Sequence, residues 1–235
     1  MPRRESGKFL DSIRTQILAF VPQKLKIMYI PTHFTESRDF EIKQVIERFP
    51  LATLVTSGQQ GLDANLLPFE LAEADDKSAL LRAHVARANP IWQEIAEGSD
   101  VLVVFRAEDA YVSPNWYPSK HETHQLVPTW NYRVVNVHGT IRFPQEEKYL
   151  RAIVGRLTRQ HEARIPGNKP WRMADAPPGY IDSMLKAIVG VEITICRIDA
   201  KSKLSQNREE RDRMAAAAEL DARGHGGLAD AMRNP

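Results

Sequence analysis

"SPNWYPSKHETHQLVPTWNY" (residues 113–132) runs directly into "RVVNVHGTIRF" (133–143). The first stretch holds two of the chain's four Trp, two of its six Tyr and three Pro. From Val127 to Phe143 the pattern predicts one long bent strand, with Gly139 as a bulge. An ordinary turn needs none of this aromatic surface. A core strand would use the rings but not Ser119, Lys120 and His121. A planar conjugated ring needs flat apolar surfaces, and Trp and Tyr supply them with a polar tip. A phosphate on that ring needs Lys or Arg together with hydroxyl donors. "WYPSK" and "VPTWNY" offer both, and the prolines limit backbone entropy, which favours preorganisation. The competing reading is a Trp- and Tyr-rich core corner with an incidental lysine.

Upstream of this stretch, short apolar runs alternate with turn residues. "TESRDFEIKQVIERFP" has helical spacing at Ile42, Val45, Ile46 and Phe49, with Thr35 or Ser37 able to cap and Pro50 ending it. "LATLVT" and "LDANLLPFEL" read as strands joined at Gly58 and Gly61, and Pro68 suits an edge position. "ALLRAHV" is a further strand. "ANPIWQEIAEG" reads as a compact helix with Asn89 as N-cap, Pro90 in the first turn and Gly98 just past the end. "VLVVFR" is a buried strand and "AYVS" another. Downstream, residues 145–163 are helical in period, "RIPGNKPWRMADAPPGY" is a loop, and 180–186 is a helix. In "IVGVEITICRI", Val189, Val191, Ile193 and Ile195 share a face. From Gln206 the chain is charged and Ala-rich, a helix that frays at "RGHGG". About seven strands with turn signals every ten or so residues favour a sandwich or barrel over a βαβ sheet. The architecture expected is mainly β with peripheral helices (α+β), a closed antiparallel barrel.

The composition sets bounds. The chain of 235 residues is 43% hydrophobic and 26% charged, as a globular protein is. Its 32 basic and 30 acidic residues declare no polyanion-binding surface. No apolar run reaches the eighteen or so residues of a membrane span. Cys196 stands alone, so a disulfide framework is excluded and a reducing, cytoplasmic setting is expected, with Cys196 a small buried strand residue. Residues 1–27 carry six Arg/Lys against two acids and stand apart as a peripheral extension. They are too broken by Asp11, Arg14 and Gln16 for a secretory signal, and Glu5 and Asp11 weaken an organelle-targeting reading.

No Walker or Rossmann glycine loop is present, so a nucleotide ligand has to be held by side chains and strand backbone. "HETH" (121–124) reads as a solvated loop rather than a zinc motif. His84 and Arg87 lie at a strand-to-helix junction that suits an anion, or else forms a plain Asn-Pro cap with two exposed polar side chains.

"MYIPTHF" (28–34), "RAHVARANP" (82–90), "SPNWYPSK" (113–120), "VPTWNY" (127–132), "AIVGVEITI" (187–195) and "KLSQN" (203–207) follow one another in that order. Together they resemble the PaiB-like family, the FMN-binding negative transcriptional regulators, over residues 28–222. The resemblance implies an FMN-binding split β-barrel, an antiparallel Greek-key barrel. It also implies a homodimer with FMN between protomers. On this division, 28–222 is the flavin domain with its C-terminal helix, and 223–235 is a tail. Carried onto this chain, the family motifs imply cofactor contacts from His84, Arg87 and Asn89, and from Ser113, Trp116, Tyr117, Ser119 and Lys120. They imply further contacts from Thr129, Trp130 and Asn131, and from Lys203, Ser205, Gln206 and Asn207, the last group closing the pocket.

Three functions are then open. The first is a PaiB-type regulator, although no helix-turn-helix, zinc knuckle or basic stripe points to direct DNA contact. The second is an FMN-dependent oxidoreductase that uses NAD(P)H, in which the cofactor carries the chemistry and no catalytic triad is required. The third is a haem-binding barrel with His84 or His138 on iron. On a strand, His138 reads more simply as a packed or hydrogen-bonded side chain.

Overall fold

The computed structural model describes residues 28–74, 78–167, 169–177 and 179–235. The expectations for residues 1–27 fall outside this range. The elements in chain order are α1 (Asp39–Arg48), β1 (Leu51–Gly58), β2 (Gly61–Pro68), β3 (Glu70–Glu73), β4 (Ala79–Ala86), α2 (Ile91–Glu94) and β5 (Asp100–Val112). They continue with α3 (Lys120–Thr123), β6 (Thr129–Arg142), α4 (Glu147–Glu162), α5 (Tyr180–Lys186), β7 (Ile188–Lys203), α6 (Glu210–Ala222) and α7 (Gly226–Arg233). The strands form one seven-stranded sheet in the order β2-β1-β5-β6-β7-β4-β3. The β1–β2, β1–β5, β3–β4 and β4–β7 ladders are antiparallel. The expected fold class, mainly β with peripheral helices on a split-barrel sheet, is what the chain adopts. No helix among the described residues is long and apolar enough to cross a membrane.

The chain divides into two compact units. Among the described residues, one comprises Pro50–Val104 and Val137–Ile198, and the other comprises 28–49, Phe105–Asn136 and Asp199–Pro235. They are called here the first and second units.

In the first unit β1 and β2 form a hairpin closed at Gly58 and Gly61, and Pro68 ends edge strand β2, where a missing N–H costs little. Val189, Val191 and Ile193 of β7 are fully buried, as their shared face requires. Gly139 stands inside β6 because of a close approach: a Cβ there would lie 2.3 Å from the Thr194 carbonyl oxygen. The carboxylate of Glu192 is buried and accepts from Arg82 Nε (2.9 Å), Arg142 Nε (2.6 Å) and the Tyr149 hydroxyl. Burial alone would raise its pKa, but the hydrogen bonds from Tyr149, Arg82 and Arg142 hold it below the usual carboxylate value. The Tyr149 hydroxyl is pushed up to about 12 by burial and by its bond to Glu192.

In the second unit a core cluster of Ala110, Val112, Tyr117, Leu204, Ala216, Leu220, Leu228 and Met232 joins the ends of the long strands to α6 and α7. Arg133 is buried and donates to Glu108 Oε2 from Nε (3.1 Å) and Nη2 (2.5 Å).

Several sequence expectations are corrected. The cap position of α1 is Arg38, not Thr35 or Ser37. The Glu36 carboxylate accepts the Arg38 backbone N–H (3.0 Å), while Thr35 pairs with Lys201 in an isolated bridge. The helix expected across 89–98 is one turn, Ile91–Glu94, because Ile95 is already extended; Gly98 sits at φ +81° and its N–H reaches the Ile141 carbonyl. "VLVVFR" and "AYVS" are a single strand, β5. "KHET" is one helical turn rather than a loop, stopped by His124 at φ 56°. "RGHGG" does not fray: the chain turns there and adds α7, whose Leu228, Ala229 and Met232 are fully buried. Cys196 is exposed, since it falls on the face of β7 opposite the buried residues Val191, Ile193 and Ile195. Partial desolvation and the nearby Asp100 raise its thiol pKa, which disfavours the thiolate.

Candidate functional site

The residues implied by the motifs fall into both units. In the first unit, His84 lies on β4, with its Nδ1 buried and without a hydrogen-bond partner among the described residues. Burial lowers its pKa and favours the neutral imidazole. Arg87 follows the strand with its guanidinium engaged on three sides. Nε donates to the Lys186 carbonyl (2.8 Å), Nη2 to the Ile188 carbonyl (3.0 Å) and Nη1 to Gln145 Oε1 (2.9 Å). The group also lies 5.5 Å over the Trp92 ring. Asn89 Oδ1 accepts the Ile91 N–H (3.0 Å), and its Nδ2 donates to Asn65 (2.8 Å). The cap expected of Asn89 is therefore present. Arg87 is a clamp on the turn that links α5 to β7.

In the second unit the residues sort by the side of the strand they occupy. Alternation along β6 sends Asn131 inward and Trp130 outward: Asn131 is 0% exposed and Trp130 55%. Asn131 Nδ2 donates to Ser205 Oγ (2.9 Å) and approaches Met232 Sδ (3.3 Å), and the Tyr117 hydroxyl is 3.5 Å from Ser205. Ser205 holds φ 64°, a strained conformation for a serine, and is itself buried. Ser119 donates its backbone N–H to Asp212 Oδ1 (3.0 Å) and its hydroxyl to Oδ2, which pins "WYPSK" to α6. Gln206 bridges its own turn, from Leu204 N–H (2.7 Å) to the Ser202 carbonyl (2.6 Å). Ser113 Oγ accepts from Asn115 N–H, and Lys120 donates to the Asn115 side chain. Trp116 lies beneath the Arg223 guanidinium at 4.8 Å. Asn207 is exposed at the surface of the turn before α6.

A different set combines exposed aromatic rings with Lys203 and the buried Lys201. Trp130 and Tyr111 meet edge to face, with ring centroids 6.0 Å apart, and Tyr111 is 47% exposed. Lys203 Nζ donates to the Trp130 carbonyl (2.8 Å) and to Thr129 Oγ1. Lys201 Nζ lies 5.4 Å from the Tyr132 ring and 5.8 Å from that of Tyr29, whose carbonyl it reaches at 3.2 Å. Burial, together with Lys201 and Arg208, lowers the pKa of Lys203 against the opposing pull of Tyr132. Flat aromatic faces beside a crowd of ammonium and guanidinium groups suit a planar ring that carries a phosphate.

Sequence reasoning missed Tyr111, Tyr132 and Lys201 here. For Tyr132 the signal was available: it lies two residues from Trp130 on the same strand. For Tyr111 it was not. Burial along β5 falls on odd-numbered residues through Ala107 and on even-numbered ones from Ala110, so the alternation slips at Glu108–Asp109. The histidine considered for iron, His138, has its Nε2 2.8 Å from Arg197 Nη2, as a packed and hydrogen-bonded strand histidine does.

Residues 28–197 match the family described as "Putative FMN-binding domain". The Bacillus subtilis protein named protease synthase and sporulation protein PAI 2 is 32% identical over 193 residues, covering 82% of this chain and 89% of that one. An Emericella nidulans protein, AN0679, is 30% identical over 219 residues, covering 79% of this chain and 87% of its own length. Among solved structures, the FAD and heme binding protein from Mycobacterium smegmatis aligns with TM-score 0.54 at 18% identity, covering 77% of this chain and 78% of that chain; it is similar in fold. The chain belongs to the PaiB-like FMN-binding family, and FMN is its cofactor.

Proposed function

We propose that the flavin is held in the second unit, with its ring system against Trp130 and Tyr111 and its anionic end toward Lys203, Lys201 and Thr129. The observation that carries this reading is the half-exposed Trp130–Tyr111 pair beside Lys203. The other implied residues of this unit, Tyr117, Ser119, Asn131, Ser205 and Gln206, support that face from behind. When bound, FMN supplies the redox and spectroscopic properties; the chain's own residues bind and orient it. The chain acts as a homodimer, in which a second copy covers apolar surface that one copy leaves in water. Val127 is exposed in the second unit, and Leu51, Leu62 and Leu66 are exposed on the β1–β2 hairpin of the first. Its role is that of a PaiB-type negative regulator whose state follows flavin occupancy.

The test is titration of flavin-free protein with FMN, followed by visible absorption and by light scattering. One FMN per chain and a dimer mass support the reading. An unchanged FMN spectrum, or a monomer mass with flavin bound, overturns it. A second reading, an FMN-dependent oxidoreductase, is favoured by Lys203, whose lowered pKa makes it a readier proton donor. NADH or NADPH oxidation no faster than with free FMN excludes that reading.

A further inference from the structure

A cleft lies in the first unit, between α4 and the "PWRM" segment (170–173). It has a volume of about 430 Å³ and is lined by Gly155, Thr158, Arg159, Trp171, Arg172 and Met173, with Ala163 and Pro170 at its margins. That volume is in the range that small-molecule sites occupy. Trp171 lines this cleft and is 43% exposed as a residue. The segment is tied to α4 by its backbone, since Trp171 N–H donates to Glu162 Oε2 (2.9 Å).

The charges at the cleft set its preference. Arg151 and Arg156, also on α4, are paired with Glu147 and Asp182 and with Glu70. Arg159 and Arg172 make no ion pair among the described residues. The two carboxylates close to them in sequence hydrogen-bond to backbone and not to either guanidinium: Glu162 accepts the Trp171 N–H, and Asp175 accepts the Arg172 backbone N–H (2.9 Å). Two guanidinium groups therefore border an apolar cleft with an aromatic wall. Its floor holds Gly155, in the middle of a sixteen-residue helix where glycine is unfavourable. A Cβ there would only touch Met173 Sδ, at 3.5 Å, so the backbone does not demand glycine. What glycine does provide is room in the cleft.

We propose that this cleft binds a small planar aromatic acid. Its ring lies against Trp171 and Met173, and its carboxylate is taken by Arg159 and Arg172, which present the planar donor geometry that carboxylates fit. Among the described residues, neither guanidinium has an ion-pair partner to leave.

The test is calorimetric titration of the flavin-loaded full-length protein with 2-naphthoate, and with 2-naphthamide as its uncharged counterpart. The acid is expected to bind one per chain and at least tenfold more tightly than the amide. Arg159→Gln with Arg172→Gln should remove that preference, and Trp171→Ala should weaken both ligands. Gly155→Met replaces none of the proposed contact residues and improves helix propensity. It should block the cleft, with at least tenfold weaker naphthoate binding and no fall in Tm. Equal affinity for acid and amide, no heat with millimolar naphthoate, or unchanged naphthoate binding in Gly155→Met each overturns the proposal.

Discussion

Two groups of residues carry similar chemistry and use it in opposite ways. In the first unit His84, Arg87 and Asn89 have the composition of an anion site, yet Arg87 donates to two carbonyls and Gln145, and Asn89 caps a turn. In the second unit Lys203 also donates to backbone, but it stands beside two aromatic rings that are half exposed. A cation's value to a ligand depends on what surrounds it. Arg87 closes a junction, whereas Lys203 borders a surface.

Four measurements sharpen or break this contrast. The largest effect is expected from Trp130→Ala combined with Lys203→Gln. Loss of a ring contact and of a charge-assisted bond should weaken FMN roughly a hundredfold, about 3 kcal/mol, by fluorescence titration. Because both side chains are partly exposed, the chemical-denaturation midpoint should hardly move. Arg87→Ala should do the reverse. It removes three hydrogen bonds and the contact over Trp92, so urea unfolding should show a loss of about 2 kcal/mol while FMN affinity stays within about twofold. If Arg87→Ala abolishes flavin binding in a stable protein, the contrast is wrong.

Asn131→Ala comes next, at about 1–2 kcal/mol of stability, because it leaves Ser205 without its amide donor in a buried site. Any effect on FMN should come through that destabilisation and be rescued by lowering the temperature.

The smallest effect is on pH dependence. His84 has its pKa lowered by burial, so below the ordinary histidine value of 6.5 the unfolded chain takes up a proton that the native one resists. Stability therefore falls as pH drops from that value toward the native pKa. Lys203 is also lowered, mainly by burial, so the unfolded chain holds its proton more strongly. Stability should rise with pH in the window just below the ordinary lysine value of 10.5. His84→Gln should flatten the acid limb and Lys203→Met the alkaline one, read from Tm against pH.

Most of the sheet was legible because hydrophobic alternation and turn residues mark strands directly: Gly58 and Gly61, Pro68, and the Val189–Ile195 face all stand where the pattern puts them. Helix α7 was not legible. Gly226 and Gly227 look like the end of a helix, but Gly227 is small because a Cβ there would lie 2.7 Å from Glu108 Oε1, a long-range constraint that no local pattern carries. For the candidate site, the motifs named residues on both the exposed and the buried side of the strands and could not tell the two sides apart. Strand parity separates them: on β6 it divides Trp130 and Tyr132 from Asn131. On β5 that rule fails, because the slip at Glu108–Asp109 decides which way Tyr111 faces.

Strands β5, β6 and β7 each begin in one unit and end in the other, and the polypeptide passes between the units four times among the described residues. During synthesis the second unit lacks residues 199–235 until the first unit's described segments have been made, so Tyr117 and Asn131 wait for Ser205 and Met232 before their pocket can close. Neither half can be expressed as one uninterrupted gene fragment, and a premature stop before β7 ends yields a nascent chain with unsatisfied edges, a substrate for chaperones rather than a smaller flavoprotein.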